Sequence, residues 1–219
     1  NHPYTEDNAV HNNTVFGMHK LASIAKLHTD LLDDRGFDFQ EWMMKNFARR
    51  FGKAEVNAFI NGTGTGQPVG ILNTYGGAEV GVTTASGTVT FDAVMALFHS
   101  LESKFRENAV WVMNDTTALA LRKLKDADGN YLWSPSAEKL LGKEVIISNA
   151  MPDIGSGTKP IAFGDFSYYW IMERVPFSVG VLREKYAISQ LYGYIGYEFL
   201  DGKLIRPEAV KVMQMAAAE

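Results

Sequence analysis

The run Gly62-Thr63-Gly64-Thr65-Gly66 is the strongest invitation to chemistry in the chain. Glycine-rich turns leave backbone N–H groups open, and such groups can cradle a phosphate. A nucleotide-binding turn needs a strand before the glycines, a helix after them, and a Gly-Lys-Ser/Thr ending or a dinucleotide fingerprint. Here a long helical pattern precedes them and no such ending follows, so the run reads as a helix end and a turn. Asp126-Ala127-Asp128-Gly129-Asn130 imitates a calcium loop, which requires glycine at its sixth position and glutamate at its twelfth. Tyr131 and Ala137 hold those places, so this stretch also reads as a turn.

The five histidines, His2, His11, His19, His28 and His99, lack the i, i+4 pairing of helical zinc sites. The chain has no cysteine and no Gly-x-Ser-x-Gly elbow, which leaves serine, threonine or lysine as nucleophiles with no base beside them. No catalytic, cofactor or metal site is expected. Aromatics and charges interleave over Phe166 to Arg174, a pattern that can stack single-stranded nucleic acid. A net charge of −4, with no block of five like charges, favours core packing instead and argues against sequence-specific nucleic-acid binding.

These residues need a scaffold. The 219 residues, 46% hydrophobic and 21% charged, suffice for one large domain or two small ones, each with its own core. Without cysteine, stability must come from packing, as suits a reducing cytoplasm. The apolar runs Ala93 to Phe98 and Ala109 to Met113 fall far short of the roughly 20 residues that cross a bilayer. The chain opens at Asn1 with a polar dozen residues that are not signal-like, from which a longer gene product is expected.

Asp38, with Glu41 three residues on, signals the start of a helix running to Ile60. Phe39, Trp42, Met43, Phe47, Phe51, Ala54, Ala58 and Phe59 recur at the spacing of a buried stripe. Gly62 is expected to end this helix in the left-handed conformation. A second helix is predicted from Phe91 to about Asn108 behind Thr90, with Phe91, Val94, Met95, Phe98, Leu101 and Phe105 on one face. A strand then spans Ala109 to Met113, and Asn114 caps a third helix to about Lys125. Short strands are predicted at Val145 to Ser148, Ile161 to Phe163, Tyr168 to Met172 and Phe177 to Leu182. A kinked one, punctuated by Gly193 and Gly196, spans Ile188 to Leu200. Val15 to His28 alternates without a clean polar face, and periodicity leaves helix and strand both open there. The class is α+β.

Several segments, in order along nearly the whole chain, resemble the tailed-phage major capsid family with the Hong Kong ninety-seven fold. They are His19-Lys20-Leu21-Ala22 leading to Asp30-Leu31-Leu32-Asp33-Asp34; Phe47-Ala48-Arg49-Arg50 through Phe59-Ile60-Asn61 and the glycine run to Leu72; Trp111-Val112-Met113-Asn114; and Leu121 to Gly129. Tyr131-Leu132-Trp133, Ile161 to Phe166 and Arg206 to Val212 complete the set. The ordered set is specific where no single piece is.

By that resemblance the helix from Asp38 to Ile60 is the spine helix, and Val15 to His28 is the returning strand of the extended loop. Residues 1–72 form the loop remnant and first part of a peripheral domain. Residues 73–174 form the axial domain and 175–219 return to the periphery. The resemblance implies a structural subunit, not an enzyme, that joins copies of itself as hexamers and pentamers into the icosahedral shell of a tailed phage or prophage around DNA. It implies a virion protein made in the host cytoplasm, with scaffold, maturation protease and portal as further partners and no membrane. The family's N-terminal arm and outgoing half-loop have no counterpart here, so this chain alone is expected to be monomeric or weakly associated.

Trp42, Trp133, Trp170 and the Lys123/Lys125 pair are the candidate contact residues. The family archetype welds its subunits by lysine–asparagine isopeptide bonds. Aligned from Arg206-Pro207, its carboxylate position falls on Tyr197 and its asparagine position on Gln190; Glu198 lies adjacent, on the opposite face of a strand. Lys20 and Lys26 lie too far along the returning strand to serve, so no weld is expected. An encapsulin nanocompartment shell is the alternative reading, and an unrelated soluble enzyme a distant one.

Overall fold

A computed structural model describes residues 14–28, 38–85, 87–134 and 138–217. The Asp30 to Asp34 segment of the resemblance, His2, His11 and Ala137 lie outside them. Among the described residues no helix is long and apolar enough to cross a membrane.

The first strand, β1 (His19–His28), resolves the open reading of Val15 to His28. Leu21, Ser23, Ala25 and Leu27 point inward while Ala22, Ile24 and Lys26 point out, which is the period-two pattern of a strand packed on one face. Helix α1 (Phe39–Asn61) begins as expected, with the Asp38 carboxylate accepting the Glu41 N–H at 3.0 Å. Glu41 itself turns outward to Lys45, 2.6 Å away, rather than back to the cap.

The end of α1 corrects the sequence reading. Gly62 has φ −58° and ψ 140°, not a left-handed conformation. Glycine is required there by close approach instead, since a Cβ would lie 2.2 Å from the Pro68 carbonyl oxygen and 2.3 Å from that of Ala58. The chain turns back on the helix, so Gly62, Ile71 and Leu72 donate their N–H groups to the carbonyls of Ala58, Phe59 and Ile60 at 2.8–2.9 Å. The returning chain thus satisfies the orphan carbonyls that every helix end leaves.

The next elements are β2 (Glu79–Thr84), α2 (Phe91–Ser100), the single turn α3 (Ser103–Arg106), β3 (Val110–Met113) and α4 (Asp115–Arg122). Thr90 caps α2 through the Ala93 N–H at 3.2 Å, and Asn114 caps α4 through the Thr117 N–H at 2.8 Å. The predicted helix from Phe91 to Asn108 is broken at Leu101, whose backbone is extended. Leu97, fully buried, takes the core place assigned to Met95, which is exposed.

Beyond them lie β4 (Lys139–Leu140), β5 (Lys143–Ile147), β6 (Ile161–Gly164), β7 (Tyr169–Leu182), β8 (Leu191–Leu204) and β9 (Val210–Met215). The strands predicted at Tyr168 to Met172 and Phe177 to Leu182 are one, because register shifts around Val175 to Ser178 carry β7 past Pro176 without ending it. Ile188 lies in a 3-10 turn, Glu184–Ser189, and β8 continues through Gly193 and Gly196. Those glycines do not kink the strand; they admit rings, with Tyr186 against Gly193 and with Phe47 and Phe177 against Gly196.

Two sheets result. One has the order β1-β8-β7, fully antiparallel; the other runs β2-β9-β6-β3-β5-β4, with parallel pairs at β2/β9 and β3/β5. The sheets do not divide at residues 72 and 174. β7 runs through residue 174, and β9 sits among strands of the middle segment, because β2 and β6 both hydrogen-bond to it. Helices α2 and α4 pack on the six-stranded sheet over Leu97, Trp111, Phe163 and Met213. Helix α1 packs on the three-stranded sheet through Phe47 and Phe51 against Phe177 and Tyr194.

Candidate functional site

Backbone accounting removes the phosphate reading of the glycine run. Three of its N–H groups are spent inside the chain: Gly62 donates to the Ala58 carbonyl at 2.8 Å, Gly64 to the Pro68 carbonyl at 3.2 Å, and Thr65 to Thr63 Oγ1 at 3.4 Å. The calcium imitation resolves the same way. Asp126 accepts the N–H groups of Asp128 and Asn130 at 3.0 and 2.8 Å, closing the turn and holding its carboxyl below the usual range. Among the described residues no group of three His, Asp or Glu could hold a metal ion.

What the chain does offer is surface. β7 is an edge strand, bonded to β8 on one side only, and an edge presents a row of unpaired N–H and C=O groups. On it Trp170, Ile171 and Met172 are each about half exposed, at 54%, 53% and 49%. Successive strand residues point to opposite faces, so three apolar neighbours mean that neither face of the sheet is covered here by this chain. Farther along the strand, beyond the exposed Glu173 and Arg174, Val179 and Val181 are also exposed, and Ile188 stands fully exposed in the turn that follows. Trp170 was the only member of this surface singled out from sequence. The run of three large apolar residues, which breaks strand alternation, was the signal for the others.

The remaining sequence candidates fare differently. Trp133 is core, 3% exposed, with the Arg122 guanidinium 4.4 Å over its ring. Trp42 is half-buried beside Phe39, with ring centroids 6.4 Å apart. Lys123 and Lys125 are exposed at the end of α4, and the Lys125 ammonium lies 4.7 Å over the ring of Tyr131.

Of the positions considered for the weld chemistry, the fold brings Lys20 to Tyr197 and leaves Gln190 and Glu198 apart from them. Lys20 lies 5.6 Å over the Tyr197 ring, and Lys26 lies 4.7 Å over that of Tyr186. Gln190 ends the 3-10 turn, exposed and left-handed at φ 53°. Glu198 faces away from Lys20, as strand alternation requires, into a cavity beneath α1. It is 4% exposed, and burial, followed by the neighbouring Glu55 and Glu173, pushes its carboxyl up to about 8. Sequence reading gave Glu55 no role, since nothing local links residues on a helix and a distant strand.

The architecture is a long helix across a thin antiparallel sheet, with a mixed six-stranded sheet and its helices making up the rest. The chain belongs to the phage capsid family, which matches residues 3–215. It is accordingly a structural subunit of a virion shell and not an enzyme. A search of the curated proteins found no match. Among solved structures it is similar to the capsid of an empty GTA particle computed with C5 symmetry, at 32% identity and a TM-score of 0.83, over 99% of this chain and 81% of that one. The capsid of the native GTA particle gives 34% and 0.81, over 99% and 82%. A chain from Gordonia phage Cozz, 13% identical with a TM-score of 0.71, covers 100% of this chain and 79% of its own, and shows the shared fold alone.

Proposed function

We propose that this subunit joins copies of itself, as hexamers and pentamers, into an icosahedral head that encloses DNA in a tailed phage or prophage. The match to GTA capsids over nearly the full chain supports the reading, since at about a third identity the chains share one backbone framework. Identical subunits joined head to tail around an axis close into rings, and rings joined through other surfaces close a shell. In this reading the six-stranded sheet and its helices form the axial domain, gathered at ring centres. Helix α1 with the three-stranded sheet forms the peripheral domain, and β1 returns from the extended loop. A scaffold, a maturation protease, a portal and synthesis in the host cytoplasm complete the proposal.

Negative-stain microscopy of particles from the full-length gene product, with nucleic acid measured in particles from the native source, tests it. Closed shells enclosing DNA are the expected result. Shells that enclose a cargo enzyme and no DNA would instead make this an encapsulin.

The same shells are expected to hold together without covalent welds. An isopeptide bond needs a neutral lysine amine, a carboxamide and a carboxylate that accepts the proton. At the aligned base position stands Tyr197, whose phenol is not the carboxylate that this chemistry uses. The nearest carboxyl, Glu198, points to the other side of the sheet. Mature particles boiled in denaturant should run as single subunits on a gel, and a ladder that survives reduction would overturn this.

A further inference from the structure

Most buried polar groups in the chain have partners; Glu198 is an exception. It is 4% exposed, and its Oε1 has no hydrogen-bond partner. It lines an open cavity of about 300 Å³ between α1 and the three-stranded sheet, whose other walls are Met44, Phe47, Phe51, Gly52, Glu55 and Phe177. The aromatic contacts of this seam lie around it: Phe51 and Phe177 meet edge to face with centroids 5.0 Å apart, and Phe47 lies 5.7 Å from Phe177.

The charged groups acting on Glu198 are both acids, Glu55 from α1 and Glu173 from β7. From β1 its cross-strand partner is Leu21. His19 and Lys20 border the next cavity, on the far side of Glu55, and the Lys20 ammonium rests on the Tyr197 and Phe199 rings at 5.6 and 5.7 Å. On α1, Arg50 is turned to Ser23 and to the Ile24 carbonyl, at 3.4 and 3.5 Å. Asp201, the next acid along β8, has its oxygens engaged by the N–H groups of Gly17 and Gly202. No cation among these groups is placed to neutralise Glu198.

Two carboxylates on the walls of one seam repel, whereas a carboxyl and a carboxylate that hold one proton between them attract. We propose that Glu55 and Glu198 form a proton-sharing latch between α1 and the three-stranded sheet, closed while that proton is held and loosened when it is lost. Gly52 lies about one helical turn before Glu55 on the same cavity wall, and a glycine within a helix is the residue that holds the helical conformation least firmly.

The direction of the pH effect follows. The Glu198 carboxyl rises in the fold from its ordinary 4.5 to about 8, so the folded state binds the proton more tightly than the unfolded chain does. The contribution of this carboxyl to stability is then greatest at or below about pH 4.5, falls as pH rises through the interval, and is gone above about 8.

Thermal and denaturant unfolding of the full chain at pH 5 to 9, for wild type, Glu198→Gln and Glu55→Gln, tests the latch. Between pH 6 and 9 the wild-type folded-to-unfolded ratio should fall at least about tenfold more than that of Glu198→Gln, that of Glu55→Gln should fall by an amount between the two because burial still acts on Glu198, and both variants should exceed wild type at pH 9. Glu55 is half-buried, so its glutamine variant keeps the test open if Glu198→Gln does not fold. The carboxyl carbon of Glu198, followed by NMR with labelled glutamate, should titrate well above the ordinary range. Equal pH slopes in all three proteins, or a Glu198 carboxyl that titrates near 4.5, would overturn the proposal.

Discussion

The two sheets of this subunit are stabilised in opposite ways. In the six-stranded sheet β6 is buried at every position, and Trp111, Phe163 and Met213 exclude solvent completely. The Trp111 and Phe163 rings stack at 4.1 Å, and the indole N–H donates to the Leu140 carbonyl at 3.0 Å, so even the polar edge of the core is satisfied. The three-stranded sheet has longer strands but one covering helix. Most of β7 is exposed or half-exposed, and the seam beneath α1 contains a carboxyl pair rather than more hydrocarbon. The first region is closed over its core on both faces, with Ile60 of α1 and Leu204 of β8 packed against Ala162, Val210 and Val212 on the second. The other region leaves apolar edge uncovered, as a part built to be completed by neighbours would.

The largest expected effect belongs to the closed core. Trp111→Ala should destabilise the chain by about 3–5 kcal/mol, read from the midpoint of denaturant unfolding, because it removes a fully buried ring and leaves a cavity among packed neighbours. A loss below about 1 kcal/mol would mean that the six-stranded sheet is not the stability centre, and the contrast between the sheets would fail.

Which parts were legible in the sequence follows from the range of the interactions. Asp38, Thr90 and Asn114 were readable as caps because each bonds to an N–H three residues ahead. The turn at Asp126 was readable for the same reason. Strands β2 and β9 were not predicted, since their pairing is parallel and joins residues more than a hundred positions apart, where no local pattern marks the partner. The two strands read at Tyr168 to Met172 and Phe177 to Leu182 are one, because the irregular register between them accommodates Pro176. The Glu55/Glu198 pair and the exposed edge at Trp170 depend on what packs, or does not pack, across the fold. Of the five contact candidates only Trp170 lies in the apolar patch, because aromatic type marks burial and binding alike until the neighbours are known.

A smaller effect, of opposite sign, is expected in the seam. Gly52 lies inside α1 with free space where a Cβ would stand, so Gly52→Ala should raise stability by about 0.5–1 kcal/mol through helix propensity and a less flexible unfolded chain. It should also stiffen the helix over the carboxyl pair. Destabilisation instead, measured by the same denaturant midpoint, would show that the helix needs its glycine for a bend in the folded chain, and the open side of the comparison would then be strained rather than merely under-packed.

The smallest effect on folding, and the most informative about function, is expected at the edge of β7. Trp170 is half exposed, and in an isolated subunit its ring covers little that water does not already reach. Trp170→Ser should therefore change the unfolding free energy by no more than about 0.5 kcal/mol, the ordinary range for surface substitutions away from special features. Assembly is another matter. A large aromatic at an uncovered strand edge, flanked by Ile171 and Met172, is the kind of residue that dominates an interface once desolvated. Loss of such an anchor costs about 2 kcal/mol or more per contact, which is enough to shift shell formation well over tenfold in subunit concentration. Light scattering of wild type and variant under assembling conditions reads this directly. An unfolding loss comparable to that of Trp111→Ala would place Trp170 in the core of its own chain. Assembly unchanged at every concentration would show that β7 faces solvent in the finished shell, and that the neighbours cover the three-stranded sheet from its other edge, at β1.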